Sequence, residues 1–265
     1  MGANVKRRKQ LSNLLPEGGL ITRTWLLEQG FSKHAVDNLV KSEQIVTVAS
    51  GVYTKWDSNP TWEGLVYFLQ DVAGLNLTVG GLSALELQGL AHYLPFAAGK
   101  KIHLYGTARL PAWVGKVVPG VQFEWHNEWK LLGHHDAVHP GQTDSLKQFT
   151  RVQTWKEGRP GIVLSSPERA IVELLMDVPN EVSFDHADQL MQGMTGLSPR
   201  SLQALLEECR NIKVRRLFFW LADRHQHAWS AKLQPEKIDM GSGKRVLVPN
   251  GKLDKKYNIT IPRSL

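Results

Sequence analysis

The order of periodicities along the chain predicts an α+β fold in two parts. Two short helical patterns, separated by little more than a glycine, run straight into a β-hairpin pattern near the N-terminus. Beyond residue 57, β-rich runs alternate with amphipathic helical patterns. The excess of positive charge is concentrated in the first part. These observations predict an N-terminal winged helix-turn-helix over residues 1–57 and a mixed α/β C-terminal domain over residues 58–265.

In the first part, LSNLL (11–15) is expected to end a helix, stopped by Pro16 and the pair Gly18-Gly19. Thr22 or Thr24 can cap a second helix through TWLLEQ, with Trp25 and Leu26 inward and Gly30 suited to a left-handed C-cap. Ser32 caps a third helix reaching about Ser42. Its apolar residues Ala35, Val36, Leu39 and Val40 recur at helical spacing and form one stripe, onto which Phe31 can fold as a staple. IVTV and VYTK then flank Ala49-Ser50-Gly51, where Gly51 can take the positive φ of a hairpin turn. DSNP (57–60) reads as a linker.

The second part opens with a helix over 61–73, a strand over 75–80 and a helix over 83–94 capped by Ser83. KIHLYG, VQFEWH and GIVLSS read as strands. In SSPERAIVELLMDV, Ser165 and Glu168 are spaced as a capping box, with Pro167 in the first turn. Three further helical patterns follow in SFDHADQLMQGM, SPRSLQALLEEC and VRRLFFWLADRH, before the tail GSGKRVLVPNGKLDKKYNITIP. There is no internal repeat and no low-complexity tract.

Composition narrows the function classes. A hydrophobic fraction of 42% with 22% charged residues is that of a folded chain. The longest apolar run, Leu217 to Ala222, is far too short to span a bilayer, and the N-terminus shows no signal-peptide pattern. The single Cys209 can form no internal disulfide and lies in apolar-rich sequence as a core thiol. A cytoplasmic location is expected. Of the net charge of +7, residues 1–56 carry +4, with eight Lys or Arg against four acids. A basic first module on a near-neutral body is the electrostatic footprint of a nucleic-acid binder.

In a winged helix the third helix enters the major groove. With its apolar stripe buried, Lys33, His34, Asp37, Asn38 and Lys41 face outward. Asn pairs bidentately with adenine, and Lys reaches guanine or a phosphate. Ser32 at the helix start can donate to a phosphate, and Arg23 and Thr24 would touch the DNA backbone. Ser50 at the wing tip would lean on a neighbouring groove, with Lys6, Arg7, Arg8 and Lys9 as a basic arm. Asp37 is the discordant residue, an acid in the middle of the reading face.

The chain resembles the AbiE-type antitoxins, the AbiEi family of a bacterial toxin–antitoxin and abortive-infection (phage-resistance) operon. The likeness is carried in collinear order by LLPEGGLITRTWLLEQGFSKHAVDNLVKS, GVYTKWDSNPTWEG, TVGGLSALELQGLAHYLPF, IHLYG, LPAWV, SSPERAIVELL, NIKVRRLFFWLADRHQHAW, GSGKRVLV and GKLDKKYNITIP. The resemblance implies an N-terminal winged helix that binds double-stranded DNA at inverted repeats upstream of its own operon and represses it. It also implies a C-terminal domain that counteracts a cognate nucleotidyltransferase-like toxin. It brings no catalytic motif.

The remaining motifs argue against chemistry. GHHDAVHP sets His135 and His139 four apart, but Gly133 and Pro140 break the helix a zinc-protease motif needs, and Asp136 stands where Glu is required. TVGGLSAL could cradle a phosphate, yet it lacks the three-glycine fingerprint. GSGKR departs from a phosphate-binding loop, with Ile238 in place of the first glycine and Arg245 in place of Ser or Thr. Gly241-Ser242 is followed only by the isolated Asp254, not the Asp-x-Asp of a nucleotidyltransferase. No cofactor and no metal are expected. Lys213, Arg215, Arg216, Lys244 and Arg245 form a basic cluster that reads as a solvated face, with contact to an acidic patch on the toxin or extra DNA backbone contacts as the alternatives. The alternatives are a winged-helix protein-interaction module and a nucleotide-acting α/β enzyme.

Overall fold

Ile21 and Thr22 form a short strand, β1 (Ile21–Thr22), that leads directly into helix α1 (Arg23–Glu28). The computed structural model describes residue 15 and residues 18–91, 99–132, 148–154 and 161–265. Thr22, not Thr24, is the N-cap of α1: its side chain accepts from the Trp25 amide at 3.0 Å. Helix α2 (Lys33–Lys41) starts at Ser32, whose Oγ accepts from the Ala35 amide at 3.2 Å. Between the two helices Gly30 takes φ +84°, as its place at a helix C-terminus requires. Strands β2 (Ile45–Ala49) and β3 (Val52–Lys55) turn at Gly51, with φ +71°. With β1 they make an antiparallel sheet of order β1-β3-β2. Leu15, Ile21, Leu26, Phe31, Ala35, Val36, Leu39 and Ile45 are buried together as its core. The expected first helix lies, except for Leu15, outside the described residues.

Helix α3 (Trp62–Tyr67), capped by Thr61, continues into a π-helical turn over Phe68–Val72. Next come strand β4 (Leu77–Val79), helix α4 (Gly81–Leu87), strand β5 (Lys100–Gly106), strand β6 (Val121–Asn127) and the short helix α5 (Trp129–Leu132). Strands β7 (Thr150–Thr154) and β8 (Gly161–Ser165) complete a mixed sheet of order β6-β5-β4-β8-β7. β5 pairs with β6, and β4 with β8, in parallel; the other pairings are antiparallel. Strand β7 escapes the sequence pattern because TRVQT sits at the sheet edge, its one apolar residue, Val152, 72% exposed.

Helices α6 (Pro167–Leu174), α7 (Phe184–Gly193), α8 (Pro199–Glu208) and α9 (Ile212–His225) follow, and the hairpin β9 (Lys252–Asp254) and β10 (Ile259–Ile261) closes the chain. The sheet separates two apolar cores. On one side Leu77, Val79, Ile102, Leu104 and Leu164 pack with Leu65, Phe68 and Leu69 of the α3 region, and with Leu20 and Val52. On the other, α4 and α6 pack together and join α7, α8 and α9 around Phe218, Leu221 and Leu205. The architecture is therefore mixed α+β, with an N-terminal and a C-terminal domain.

Two expected caps are corrected. Ser166, not Ser165, caps α6 by accepting from the Arg169 amide, and Glu168 accepts instead from the Ser198 amide at 2.9 Å, tying α6 to the start of α8. Ser83 lies inside α4, where its Oγ accepts from the His103 amide at 3.0 Å and so stitches the helix to β5.

Candidate nucleic-acid interface

Burial of Ala35, Val36 and Leu39 rotates the other face of α2 outward. Lys33, His34, Asn38 and Lys41 are exposed along it, as is Ser32 at its start. Thr24 is exposed on the neighbouring α1, and Ser50 at the hairpin tip. One helical face thus presents, among the described residues, two exposed cations, an amide and an imidazole. Lys6, Arg7, Arg8 and Lys9 lie outside the described residues.

The acid among them is paired. Arg23 Nη2 stands 2.8 Å from Asp37 Oδ1, joining the first residue of α1 to the middle of α2. Hydrogen bonding to Asp37, then to Tyr53, raises the Arg23 pKa above its ordinary value. The expected role of Arg23 as a free backbone contact is therefore modified: its guanidinium is first committed to Asp37. Sequence reasoning missed this partner because the two residues meet only once the helices have packed. The basic Arg23 at a helix start, fourteen residues before an exposed acid, was the one available signal.

Three residues of the second basic cluster turn inward. Arg215 is 7% and Arg216 1% exposed. Arg215 donates to the carbonyls of Leu206, Glu207 and Asp239 at 2.7–3.1 Å. Arg216 donates to those of Met240, Gly241, Gly243 and Asn258 at 2.6–3.2 Å. Lys213 Nζ donates to the Met176 and Val178 carbonyls, and burial lowers its pKa. These three cations satisfy backbone oxygens within the domain, which corrects their expected outward role. Lys244 and Arg245 are exposed.

The N-terminus of α4 is filled from within, since the Gly81 amide donates to Glu173 Oε2 at 2.9 Å. Glu173 in turn accepts from Arg169, which also reaches Glu128, both at 2.7 Å. A phosphate would meet a carboxylate there. His135, Asp136 and His139 lie outside the described residues. Cys209 is buried, and burial pushes its thiol up. Among the described residues no helix is long and apolar enough to cross a membrane.

The fold is similar to that of the crystal structure of the RV2827C protein from Mycobacterium tuberculosis, with a TM-score of 0.51 at 17% identity over 95% of this chain and 88% of that one. No individually curated protein sequence matches the chain. Residues 4–96 match the profile described as the N-terminal domain of the AbiEi antitoxin transcriptional regulators. Residues 99–262 match the one described as transcriptional regulator, AbiEi antitoxin, type IV toxin–antitoxin system. Covered by the two matches over nearly all its length, the chain belongs to the AbiEi family of antitoxin transcriptional regulators.

Proposed function

We propose that this antitoxin represses its own operon by binding double-stranded DNA at upstream inverted repeats, with α2 in the major groove and the β2–β3 hairpin as a wing. Residues 1–57 are the DNA-binding unit, and residues 58–265 counteract a cognate nucleotidyltransferase-like toxin. The chain acts in the cytoplasm by binding, without chemistry of its own. One observation carries the DNA reading: Lys33, His34, Asn38 and Lys41 are exposed on one helical face while Asp37, its only acid, is paired with Arg23. An acid left free there would repel phosphate. Paired, it leaves the face net positive.

The test is fluorescence anisotropy on the duplex upstream of the gene over a salt series, beside a scrambled duplex and a Lys33→Ala/Asn38→Ala/Lys41→Ala variant. Sequence-dependent binding that the variant loses, with a salt slope reduced by about 2 for two phosphate-directed lysines, supports the reading. Binding indifferent to both sequence and substitution overturns it.

A further inference from the structure

A polar cluster lies on the sheet face opposite the α3 core, and the DNA-binding reading makes no use of it. Tyr105 of β5 is paired in register with His126 of β6, and His103 with Glu124, so the strand alternation sets all four on one face. The turn after α6 brings Asp177 over them. His103 is 7% exposed, and the side chains of His126 and Asp177 are 11% and 15% exposed. His103 Nδ1 and His126 Nε2 lie 2.9 Å apart, and His126 Nδ1 is 3.6 Å from Asp177 Oδ1. The Tyr105 ring stacks on His126 at 4.4 Å and 11°.

We propose that His103, His126 and Asp177 bind a first-row divalent transition metal, zinc in the first place. Each residue offers one ligand atom, and the three atoms lie within 4.8 Å of one another. Two imidazoles and a carboxylate suit zinc and its neighbours rather than magnesium or calcium, which take oxygen ligands. Ligands about 2.1 Å from one tetrahedral ion stand roughly 3.4 Å apart. The imidazoles therefore open by about half an ångström from their present contact, and the carboxylate, within 4.8 Å of both, closes by at most about 1.4 Å. A ligating histidine must be neutral.

The surroundings favour a cation. Glu181 and Glu124 flank the cluster, and neither nearby ammonium is free to replace an ion. Lys101 is held 3.1 Å from Glu181 and 3.8 Å from Glu124, and Lys213 is spent on two backbone carbonyls. The Tyr105 ring, stacked on His126, restricts the orientation of that imidazole. Three protein ligands leave a fourth position for water. The ion would tie the β5–β6 pair to the turn after α6, within the C-terminal domain.

The experiment is calorimetric titration of the chelator-stripped full-length protein with zinc, with cobalt as a spectroscopic substitute and magnesium as a control. The expected result is one equivalent of zinc bound with Kd below about 1 µM, and cobalt d–d bands without thiolate charge transfer. His103→Ala and Asp177→Asn should each weaken binding by at least about a hundredfold, and His135→Ala/His139→Ala should leave it intact. Failure of the wild-type chain to bind a stoichiometric ion overturns the proposal and leaves a hydrogen-bonded His103–His126 pair beside Asp177. So does binding that survives His103→Ala and disappears with His135→Ala/His139→Ala. Because the wild-type titration alone can refute the site, a variant that folds poorly does not protect it.

Discussion

Arg23 and Asp37 are joined at 2.8 Å across the two helices of the N-terminal domain, and both side chains stay partly open to solvent. The pair does two things. It links the first residue of α1 to the middle of α2, and it cancels the single acid on an otherwise basic helical face. Exposed ion pairs contribute little to stability, so the consequence belongs to charge at the surface rather than to the fold.

Arg23→Ala should therefore weaken binding to the upstream duplex by about tenfold, a loss of roughly 1.4 kcal/mol in affinity, with little change in melting temperature. The substitution removes a cation and also uncovers Asp37. The double variant Arg23→Ala/Asp37→Ala should recover most of the loss. Anisotropy of the four proteins closes the cycle; a double variant as weak as the single one would show that Arg23 contacts DNA directly and that Asp37 is irrelevant.

Asn38 is the one exposed amide at the centre of α2. Asn38→Ala should lower the preference for one base pair in each half-site by about 1–3 kcal/mol and leave the salt slope unchanged, since an amide neutralises no phosphate. Lys41→Ala should do the reverse if it meets phosphate, cutting the slope by about 1 across all sequences. Binding measured on single-base-substituted duplexes separates the two behaviours.

Arg216 is a structural cation. Its guanidinium serves four carbonyls between Met240 and Asn258, which pins the segment before β9 and the turn before β10 against α9. Arg216→Ala takes the guanidinium away from all four, although the Asn258 carbonyl keeps the Arg245 amide at 2.8 Å, and should cost about 1–3 kcal/mol of unfolding free energy by urea denaturation. Arg216→Lys should recover only part of it, because one ammonium cannot span the same fork. Neither variant should alter DNA affinity once folded.

The sequence was most legible where a single residue settles the local geometry. Ser32 before a helical stripe, Gly51 between two β-rich runs and Pro167 in a first turn each specify an element boundary without help from elsewhere. It was least legible where two distant segments must meet. VRR in an amphipathic helix reads as a solvated basic face, and backbone carbonyls at 206–207, 239–243 and 258, folded against α9, turn its arginines inward. His103, His126 and Asp177 are separated by 23 and 51 positions, and strand register alone brings the two imidazoles together. Ser83 fits a cap pattern, but a carboxylate from α6 occupies the start of that helix and the serine is free to bond β5.

Asp188 gives a pH dependence with a definite sign. Burial alone would raise its pKa, but hydrogen bonds from Arg224 at 3.0 Å and His225 at 2.9 Å outweigh burial and lower it. A carboxyl group with a folded pKa below its unfolded value binds fewer protons when folded. Its contribution is thus complete above the usual carboxylate range and is lost as pH falls through the folded value. Asp188→Asn should lower the melting temperature by about 2–4 °C at pH 7 and by a smaller amount as the pH drops below about 4. A difference that stays constant with pH would mean that the carboxyl group acts by shape rather than by charge.

Gly64 marks the join between the N-terminal segment and the body. A Cβ added there would stand 2.1 Å from the Gly18 carbonyl oxygen, which also accepts the Thr61 amide at 3.1 Å. In an open helix Gly→Ala is favourable by about 1 kcal/mol. In α3 the sign must reverse, because the obstacle is backbone and cannot rotate away. Gly64→Ala should destabilise by about 1–3 kcal/mol, while Gly193→Ala, at the exposed end of α7 with nothing within 4 Å, should be neutral or stabilising. Urea denaturation of the two variants decides the matter: equal effects would mean that the 18–64 contact yields at no cost and does not hold the N-terminal segment in place.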